Sequence, residues 1–310
     1  MDGGFLSRDV AISEISLWLQ KLGISHELQR QDDNRVVRAV CDSRLPGERC
    51  LAFAKRDAIE AGSQLLNSLV FVDDWPSAES STNLYCKVDD PRAVFIDLLA
   101  LLMTEMDVWA HSPDYRKHAE VDATAMIATT AVIEEGVKIG KRARIEAGVV
   151  LKRGTWIDDD AIIGPNACVG DEGITLYKAN DGRVLKFPHV GGVYIGKRTY
   201  IGANSVIPQG ILSATKIGND VVIGNLCNIG HGASIGQRVW MSVGGLVGGH
   251  TIVEDDATLG MGVTIRDNLI IGNNASVGMG SVVVKNVHTK TSVFGNPAKR
   301  MPGLTTGPKR

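Results

Sequence analysis

The second part of the chain repeats every six residues, and this period restricts its fold more than any other feature. Every sixth residue is apolar from Val121 to Val169, again from Ile195 to Ile207, and again from Ile217 to Val283. A period of six fits neither an α-helix nor an alternating strand, and it is typical of a parallel β-helix whose short strands stack coil upon coil. We therefore predict a parallel β-helix with these residues in its core.

The same period predicts which residues meet in space. Three faces of six residues give about 18 residues per coil, so a residue lies directly above the one at the same place in the preceding coil. Some 24 hexads then correspond to roughly eight coils. Glycine often follows the apolar residue, as in Ile229-Gly230, and we expect it to allow a tight bend at each corner.

The first part of the chain has a different pattern. Only five of the 35 glycines lie in the first 120 residues, whereas 28 lie between positions 121 and 300. Apolar spacing there predicts two helices, over Ile12–Leu22 and Pro91–Met106, and three strands, over Val36–Val40, Cys50–Phe53 and Ser68–Val72. We predict a mainly β protein: a small α/β domain over residues 1–110, the β-helix over 118–290 and a C-terminal tail over 291–310, with the junction at Trp109–His118.

The repeat is interrupted twice. Asp171–Val190 contains a turn signal at Lys178–Arg183 between two apolar pairs, which predicts a projecting hairpin. Pro208–Lys216 adds residues to a single hexad. Such interruptions are either tolerated loops or the binding face of a solenoid, and the sequence leaves both open.

Composition excludes several classes of protein. A net charge of −2 and a pI of about 6.4 argue against a nucleic-acid binder. The longest apolar run, Leu98–Met103, is far shorter than the roughly 20 residues of a membrane span. The start, Met1–Gly4, has neither the basic nor the apolar region of a signal peptide, so we expect a cytoplasmic protein.

The cysteines are odd in number and widely spaced, without a Cys-x-x-Cys pair. We predict that all of them are reduced thiols and that they form neither a disulfide framework nor a zinc site. They are Cys41, Cys50, Cys86, Cys168 and Cys227.

One histidine combines with the coil spacing to suggest chemistry. His231 lies shortly after the apolar Ile229, at a bend, and Gly249 is one predicted coil further on. A general base stacked below a glycine can share a reacting carbonyl with that glycine's backbone N–H, which would stabilise an oxyanion. Acyl transfer from a thioester needs this pair, although His231 could equally be a polar bend residue.

Residues 118–300 resemble the left-handed β-helix acyltransferases of the hexapeptide superfamily, and the layout of the chain resembles the UDP-3-O-acylglucosamine N-acyltransferases of lipid A synthesis. The resemblance rests on Lys186-Phe187-Pro188, Val193–Gly196, Gln209–Lys216 and Ile229-Gly230-His231. It implies a left-handed helix, His231 as general base, Gly249 as oxyanion donor, and a homotrimer with active sites between subunits. It also implies a nucleotide-sugar substrate, with three candidate binding residues: Phe53, Lys186 and His189. For Phe53 the alternative is a place in the core of the α/β domain.

The C-terminal part is instead similar to the sugar-nucleotide N-acetyltransferases. Val277–Lys285 and Phe294–Lys299 resemble the segment that lies along coenzyme A in those enzymes. This resemblance implies acyl-CoA as co-substrate, with no permanently bound cofactor and no metal. The candidate donor-binding residues are Gly249, His250, Lys285, Asn296, Pro297 and Lys299. The alternatives are that His250 is a solvated bend residue and that Asn296–Lys299 only terminates the prism.

The residue after the base is Gly232, where the relatives often have Asp or Asn. The group that orients the imidazole is therefore not evident. Asn225 and Asn228 are the candidates.

The leading functional hypothesis is transfer of an acetyl or short acyl group from acyl-CoA to the amine of a nucleotide-linked amino sugar. An alternative is transfer of a 3-hydroxyacyl group from acyl carrier protein to a UDP-glucosamine derivative. A β-helical zinc enzyme would need three histidines with two close together, whereas His231 and His250 are 19 positions apart. A non-catalytic trimeric scaffold is the remaining alternative.

Overall fold

The computed structural model describes residues 4–30, 34–60, 64–77, 82–110 and 118–300. Within them the chain forms two compact units. The first contains the residues up to 110 together with 174–191, and the second contains 118–173 and 192–300. The segment 174–191 thus belongs with the N-terminal residues, which the predicted β-helix boundaries did not anticipate. Most of the predicted junction lies outside the described residues.

The first unit is built on a seven-stranded sheet of order β2-β8-β7-β5-β3-β1-β9. Strands β3, β5, β7 and β8 run parallel. The α/β fold predicted for this region is confirmed. Its elements are β1 (Gly4–Ala11), α1 (Ile12–Lys21), β2 (Glu27–Leu28), β3 (Val36–Val40), β4 (Gly47–Glu48), β5 (Cys50–Phe53), α2 (Arg56–Glu60), β6 (Leu65–Leu66), β7 (Leu69–Val72), β8 (Leu84–Lys87), α3 (Pro91–Glu105) and β9 (Val108–Ala110).

The prediction of five reduced cysteines was wrong for Cys41 and Cys50, which form a disulfide. Because β3 and β5 pair in parallel, Cys41, which follows β3, lies near Cys50, the first residue of β5. The Cα atoms of the two cysteines are 5.8 Å apart, within the usual range for a disulfide. Sequence spacing could not show this, because the proximity depends on which strands become neighbours. Cys86 is a buried free thiol, and burial raises its pKa to about 12. None of the described helices has the length and hydrophobicity of a membrane span.

The second unit is a prism with three faces of short strands. In chain order the remaining elements, including the hairpin strands β19 and β20 of the first unit, are β10 (Glu120–Val121), β11 (Met126–Ile127), β12 (Val132–Ile133), β13 (Lys138–Ile139), β14 (Arg144–Ile145), β15 (Val150–Leu151), β16 (Thr155–Ile157), β17 (Ile162–Ile163), β18 (Cys168–Val169), β19 (Leu176–Lys178), β20 (Val184–Lys186), β21 (Val193–Ile195), β22 (Tyr200–Ile201), β23 (Val206–Ile207), β24 (Thr215–Ile217), β25 (Val222–Ile223), β26 (Asn228–Ile229), β27 (Ser234–Ile235), β28 (Trp240–Met241), β29 (Leu246–Val247), β30 (Ile252–Val253), β31 (Thr258–Leu259), β32 (Thr264–Ile265), β33 (Ile270–Ile271), β34 (Ser276–Val277), β35 (Val282–Val283), β36 (Ser292–Phe294) and β37 (Lys299–Arg300).

Each face collects every third strand of the prism. Face I has the order β10-β13-β16-β21-β24-β27-β30-β33, face II β11-β14-β17-β22-β25-β28-β31-β34-β36-β37, and face III β12-β15-β18-β23-β26-β29-β32-β35. Strands β36 and β37 extend face II past residue 290, so part of the predicted tail continues the sheet. We call the corners after the faces that they join: the I–II, II–III and III–I edges.

Strand pairing confirms the predicted coil length. Ile229 pairs with Val247, and Val247 pairs with Ile265. The hexad residues from Ile139 to Val283 are at most 3% exposed and form one continuous core. Val121 lies in the terminal coil and is 43% exposed.

The glycine after each apolar residue has a different role from the one predicted. A Cβ on Gly230 would lie 2.5 Å from the backbone nitrogen of Gly249 in the next coil, closer than real Cβ atoms approach. The left-handed bend comes two residues later, at Gly232 with φ of 66°. The first glycine therefore permits close approach of two coils, and the second permits the turn.

Alternating charges run along the I–II edge. Arg142 bonds Asp160 in the next coil through two hydrogen bonds of 2.7 Å. The same pairing recurs further along the edge between Arg198 and Asp220 and between Arg238 and Asp256. These side chains are exposed, so each pair contributes little to the free energy of unfolding.

The interrupting segment Asp171–Val190 contains the predicted hairpin, formed by the antiparallel strands β19 and β20. Asp90 caps α3, accepting a 3.0 Å hydrogen bond from the Ala93 amide. The same carboxylate accepts hydrogen bonds from the Tyr177 hydroxyl at 2.9 Å and from the Asn180 amide at 3.0 Å. The hairpin is therefore fixed to the start of α3 within the first unit.

The inward and outward positions of one strand should differ sharply in their effect on stability. In β14, Ile145 is 2% exposed whereas Arg144 is exposed. We expect Ile145→Ala to lower the free energy of unfolding by about 2–5 kcal/mol, because it leaves a cavity in the core. The control Arg144→Ala should cost less than about 1 kcal/mol. Urea unfolding of both variants measures this, and equal losses would contradict the assigned register.

Candidate active site

Both interruptions of the repeat and the candidate base lie on the III–I edge. The chain leaves the prism between β18 and β21 and again between β23 and β24, each time on passing from face III to face I. His231 lies at the corresponding turn between β26 and β27, and Gly249 at the turn between β29 and β30. Residues that are far apart in the sequence therefore share one edge.

The strand register extends this edge into a column. Parallel pairing of β26, β29, β32 and β35 stacks residues that are one coil apart. The column above His231 contains Gly249, Asp267 and Lys285, at levels about 4.8 Å apart. His231, Gly249 and Lys285 are among the residues predicted for the site. Asp267 was not predicted, although it lies one coil beyond Gly249 at the same turn.

The imidazole of His231 lies against the backbone of Gly249. A Cβ on Gly249 would be 2.7 Å from Cε1 and 2.8 Å from Nε2 of His231. A side chain at position 249 would therefore displace the ring. The structure brings together the two residues that the coil spacing pairs, a histidine and a glycine backbone.

A second histidine packs on the first. The rings of His231 and His250 are nearly perpendicular, with centroids 5.0 Å apart, and the His250 amide donates a 2.9 Å hydrogen bond to the His231 carbonyl. His250 has φ of 55°, a left-handed conformation that is uncommon for a residue with a side chain. A Cβ on Gly232, one coil below, would be 2.7 Å from Nδ1 of His250. The same left-handed conformation recurs at the corresponding turn position elsewhere on the prism, for example at Arg142 and Asp220, so it belongs to the repeat.

Burial and neighbouring charges set the ionisation of His231. Desolvation of the half-buried ring lowers its pKa below the usual 6.5, His250 lowers the pKa further, and Asp267 raises it. The net shift is downward, so the imidazole is neutral at neutral pH. A general base has to be in this form to accept a proton.

The two asparagines proposed to orient the imidazole lie elsewhere on the prism. Asn225 is at the II–III edge, where its side-chain oxygen accepts a 2.8 Å hydrogen bond from the Ala203 amide. Asn228 is exposed on face III within β26. The structure therefore gives Asn225 a role in coil stacking and does not bring it to His231 of the same chain.

The donor-binding candidates divide into two groups. His250 and Lys285 lie along the III–I edge with His231. The segment with Asn296, Pro297 and Lys299 instead covers the end of face III, where the Ala298 amide donates a 2.8 Å hydrogen bond to the Val282 carbonyl. This end is about four strand spacings, roughly 19 Å, from β26. An extended ligand would be needed to reach both groups.

The substrate-binding candidates all belong to the first unit. Phe53 packs on the rings of Phe95 at 5.0 Å and Phe187 at 6.1 Å. His189 is 2% exposed, with Nε2 3.5 Å from the hydroxyl of Thr175. Phe53 and His189 thus pack inside this unit. Lys186 is exposed at the end of β20.

Comparisons with known proteins agree with the repeat architecture. The family profile described as bacterial transferase hexapeptide (six repeats) matches residues 250–285, and the hexapeptide repeat of succinyl-transferase matches 129–153 and 192–225. The UDP-3-O-acylglucosamine N-acyltransferase of Coxiella burnetii is 34% identical over 139 residues, covering 39% of this chain and 41% of that protein. A probable UDP-3-O-acylglucosamine N-acyltransferase of Arabidopsis thaliana is 30% identical over 142 residues, covering 46% and 47%. The chain therefore aligns with less than half the length of these relatives.

Two solved structures show the same fold. The UDP-N-acetylglucosamine acyltransferase of Francisella novicida has a TM-score of 0.50 and 26% identity, covering 62% of this chain and 70% of that one. That of Campylobacter jejuni has a TM-score of 0.51 and 21% identity, covering 61% and 74%. The prism therefore has the left-handed β-helix fold of hexapeptide-repeat proteins.

Replacing His250 should change the ionisation of His231. In His250→Asn a neutral side chain that tolerates the left-handed conformation replaces a group that opposes protonation of His231. We expect the pKa of His231 to rise towards 6.5. NMR titration of protein labelled with ¹³C at histidine measures this, with His231→Gln to assign the resonance. An unchanged or lower pKa would contradict the described contact.

Proposed function

We propose that the chain is an acyltransferase that moves an acyl group from a thioester donor to the amine of a nucleotide-linked amino sugar. The observation that carries this proposal is the contact between the imidazole of His231 and the backbone of Gly249 on the III–I edge. Acyl transfer uses such an arrangement, in which a neutral base lies next to the backbone amide of a residue that has no side chain.

In the proposed reaction, His231 removes a proton from the amine as its nitrogen attacks the thioester carbonyl. The Gly249 N–H donates a hydrogen bond to the oxyanion that forms. When the tetrahedral intermediate collapses, the carbon–sulfur bond breaks and the imidazolium returns its proton to the departing thiolate. A base contributes typically 10²–10⁴-fold to such a rate, and an oxyanion donor about 10²–10³-fold.

The names of the relatives support a UDP-linked acylglucosamine as the acceptor. For the donor we favour acyl-CoA, because Lys285 and Lys299 could hold its phosphates, with acyl carrier protein as the alternative. Lys186 is the exposed candidate for contact with the nucleotide. Since these donors are intracellular thioesters, the proposal includes a cytoplasmic location. The Cys41–Cys50 disulfide argues against a cytoplasmic location, because disulfides rarely persist in the cytoplasm.

An apolar stripe on the II–III edge supports assembly into a homotrimer. Large side chains at this edge are strongly exposed, 63% for Leu226, 52% for Met261 and 58% for Met279. Trp240 on face II and Leu246 on face III flank them at 51% and 48%. A contiguous apolar patch of this kind typically marks a protein interface. We propose that a second and a third copy of the chain cover it.

Removing His231 tests the proposed function most simply. We expect His231→Ala to lower the rate of acyl transfer by about 10²–10⁴-fold, because the base is lost. The control His288→Ala changes an exposed histidine near the end of the prism and should leave the rate unchanged. Initial rates with acetyl-CoA or acyl carrier protein thioesters and UDP-linked amino sugars measure this. Equal rates for His231→Ala and the unaltered chain would refute the mechanism.

Donor class can be tested by stability. A donor at 100 times its Kd should stabilise the protein by about 2.7 kcal/mol, which appears as a rise in Tm. We expect this with acetyl-CoA and coenzyme A. A rise with holo acyl carrier protein alone would favour the alternative donor, and no rise with any of them would favour a non-catalytic scaffold.

The homotrimer can be tested with a charge on the stripe. Met261→Glu should reduce the trimer to smaller species, because burying an unpaired carboxylate in an interface is costly. The control Met103→Glu places the same charge on α3, at a methionine that is 44% exposed. Light scattering coupled to gel filtration gives the mass of each. A trimer that persists in Met261→Glu would show that the stripe is not the interface.

A further inference from the structure

The column on the III–I edge contains a carboxylate that the proposed mechanism does not use. Asp267 is two coils above His231, at a Cα separation of about 10 Å by strand spacing. Gly249 lies between them and contributes no side chain. The imidazole and the carboxylate therefore border the same space above the Gly249 backbone.

Asp267 is anchored to the level below it. The Asn268 side-chain amide donates a 2.6 Å hydrogen bond to Oδ2 of Asp267. The Asn268 backbone amide donates a 2.9 Å hydrogen bond to the carbonyl of Gly249. The close stacking of these coils fixes the backbone further, since a Cβ on Gly248 would lie 2.3 Å from the Asp267 nitrogen. The carboxylate thus has a defined place relative to the proposed oxyanion site.

The proposed reaction places a positive charge on His231. Accepting the amine proton creates an imidazolium in a half-buried position beside His250, and both burial and the second histidine oppose this charge. Among the described residues, Asp267 is the carboxylate that favours it. Asp171 lies on the same edge two levels below His231. The nearby cations are Lys216 on β24, Arg266 beside Asp267, and Lys285 one level above Asp267.

We propose that Asp267 is a positioning residue for His231, stabilising its imidazolium form across the space left open by Gly249. The inference rests on the proposed function for its catalytic meaning. The electrostatic link between the two side chains can be measured without any substrate.

Three variants separate the charge of Asp267 from its structural role. Asp267→Asn removes the charge and keeps an oxygen that can accept the Asn268 hydrogen bond. Asp267→Glu retains the charge. Asp256→Asn makes the same chemical change on the I–II edge and is the matched control. Asp267 is exposed, so we expect all three proteins to fold.

The first readout is the titration of His231 by NMR of protein labelled with ¹³C at histidine. We expect Asp267→Asn to shift this titration downward by a few tenths of a pH unit to about one unit, and the difference to shrink at high salt. In Asp267→Glu the His231 titration should lie close to that of the unaltered chain. Asp256→Asn should leave the His231 titration unchanged. An unchanged His231 titration in Asp267→Asn overturns the inference.

The second readout is the pH profile of kcat/KM for acyl transfer. Its acid limb should move in Asp267→Asn by the same amount as the NMR titration. A shifted NMR titration in a chain without acyl transfer would support the link between the side chains and refute the proposed function. If acyl transfer is normal and depends on His231, but the His231 titration does not shift in Asp267→Asn, this inference is refuted and the proposed function is not.

Discussion

The structure of the prism depends on the parallel hydrogen bonding of each coil to the next in a constant register. This register places every hexad residue from Ile139 to Val283 in one core. It also stacks corresponding turns into columns, so an edge of the prism acts as a linear array of side chains. A site on this fold is consequently defined by the level and the edge of a residue. Residues that are one hexad apart in the sequence lie on different edges.

The candidate site exploits one such array. Close packing of coils leaves room for the His231 ring only because the next level is Gly249, whose lack of a side chain lets the ring lie against the backbone. Partial burial and the adjacent His250 keep the imidazole neutral. In the proposed function, this stacking pairs a base with a backbone hydrogen-bond donor, the two groups that acyl transfer uses.

Much of this could be predicted from periodicity, because the hexad residues from Ile139 to Val283 are buried and the coil length follows from three faces. The pairing of His231 with Gly249 came from a single step of one coil. Asp267 lies a second coil further on, so the same rule also places it on this edge. Asn225 does not lie beside the imidazole of its own chain, because an offset of one hexad corresponds to the neighbouring edge. Proximity in sequence was a poor guide in each of these cases.

Features that depend on tertiary pairing were not predictable in the same way. The disulfide between Cys41 and Cys50 forms because β3 and β5 become parallel neighbours. The hairpin of β19 and β20 was evident from its turn residues, but its attachment to Asp90 depends on contacts across long sequence separations. Local patterns describe repeats well because every repeat has the same neighbours, whereas the first unit has no such regularity.

The most direct test of the account is the position of a donor thiol in a crystal structure of the chain with coenzyme A or, separately, holo acyl carrier protein. We predict that the pantetheine sulfur lies on the III–I edge, next to the His231 ring and the Gly249 amide. A donor bound with its sulfur on another edge or face, away from His231, would contradict the central claim.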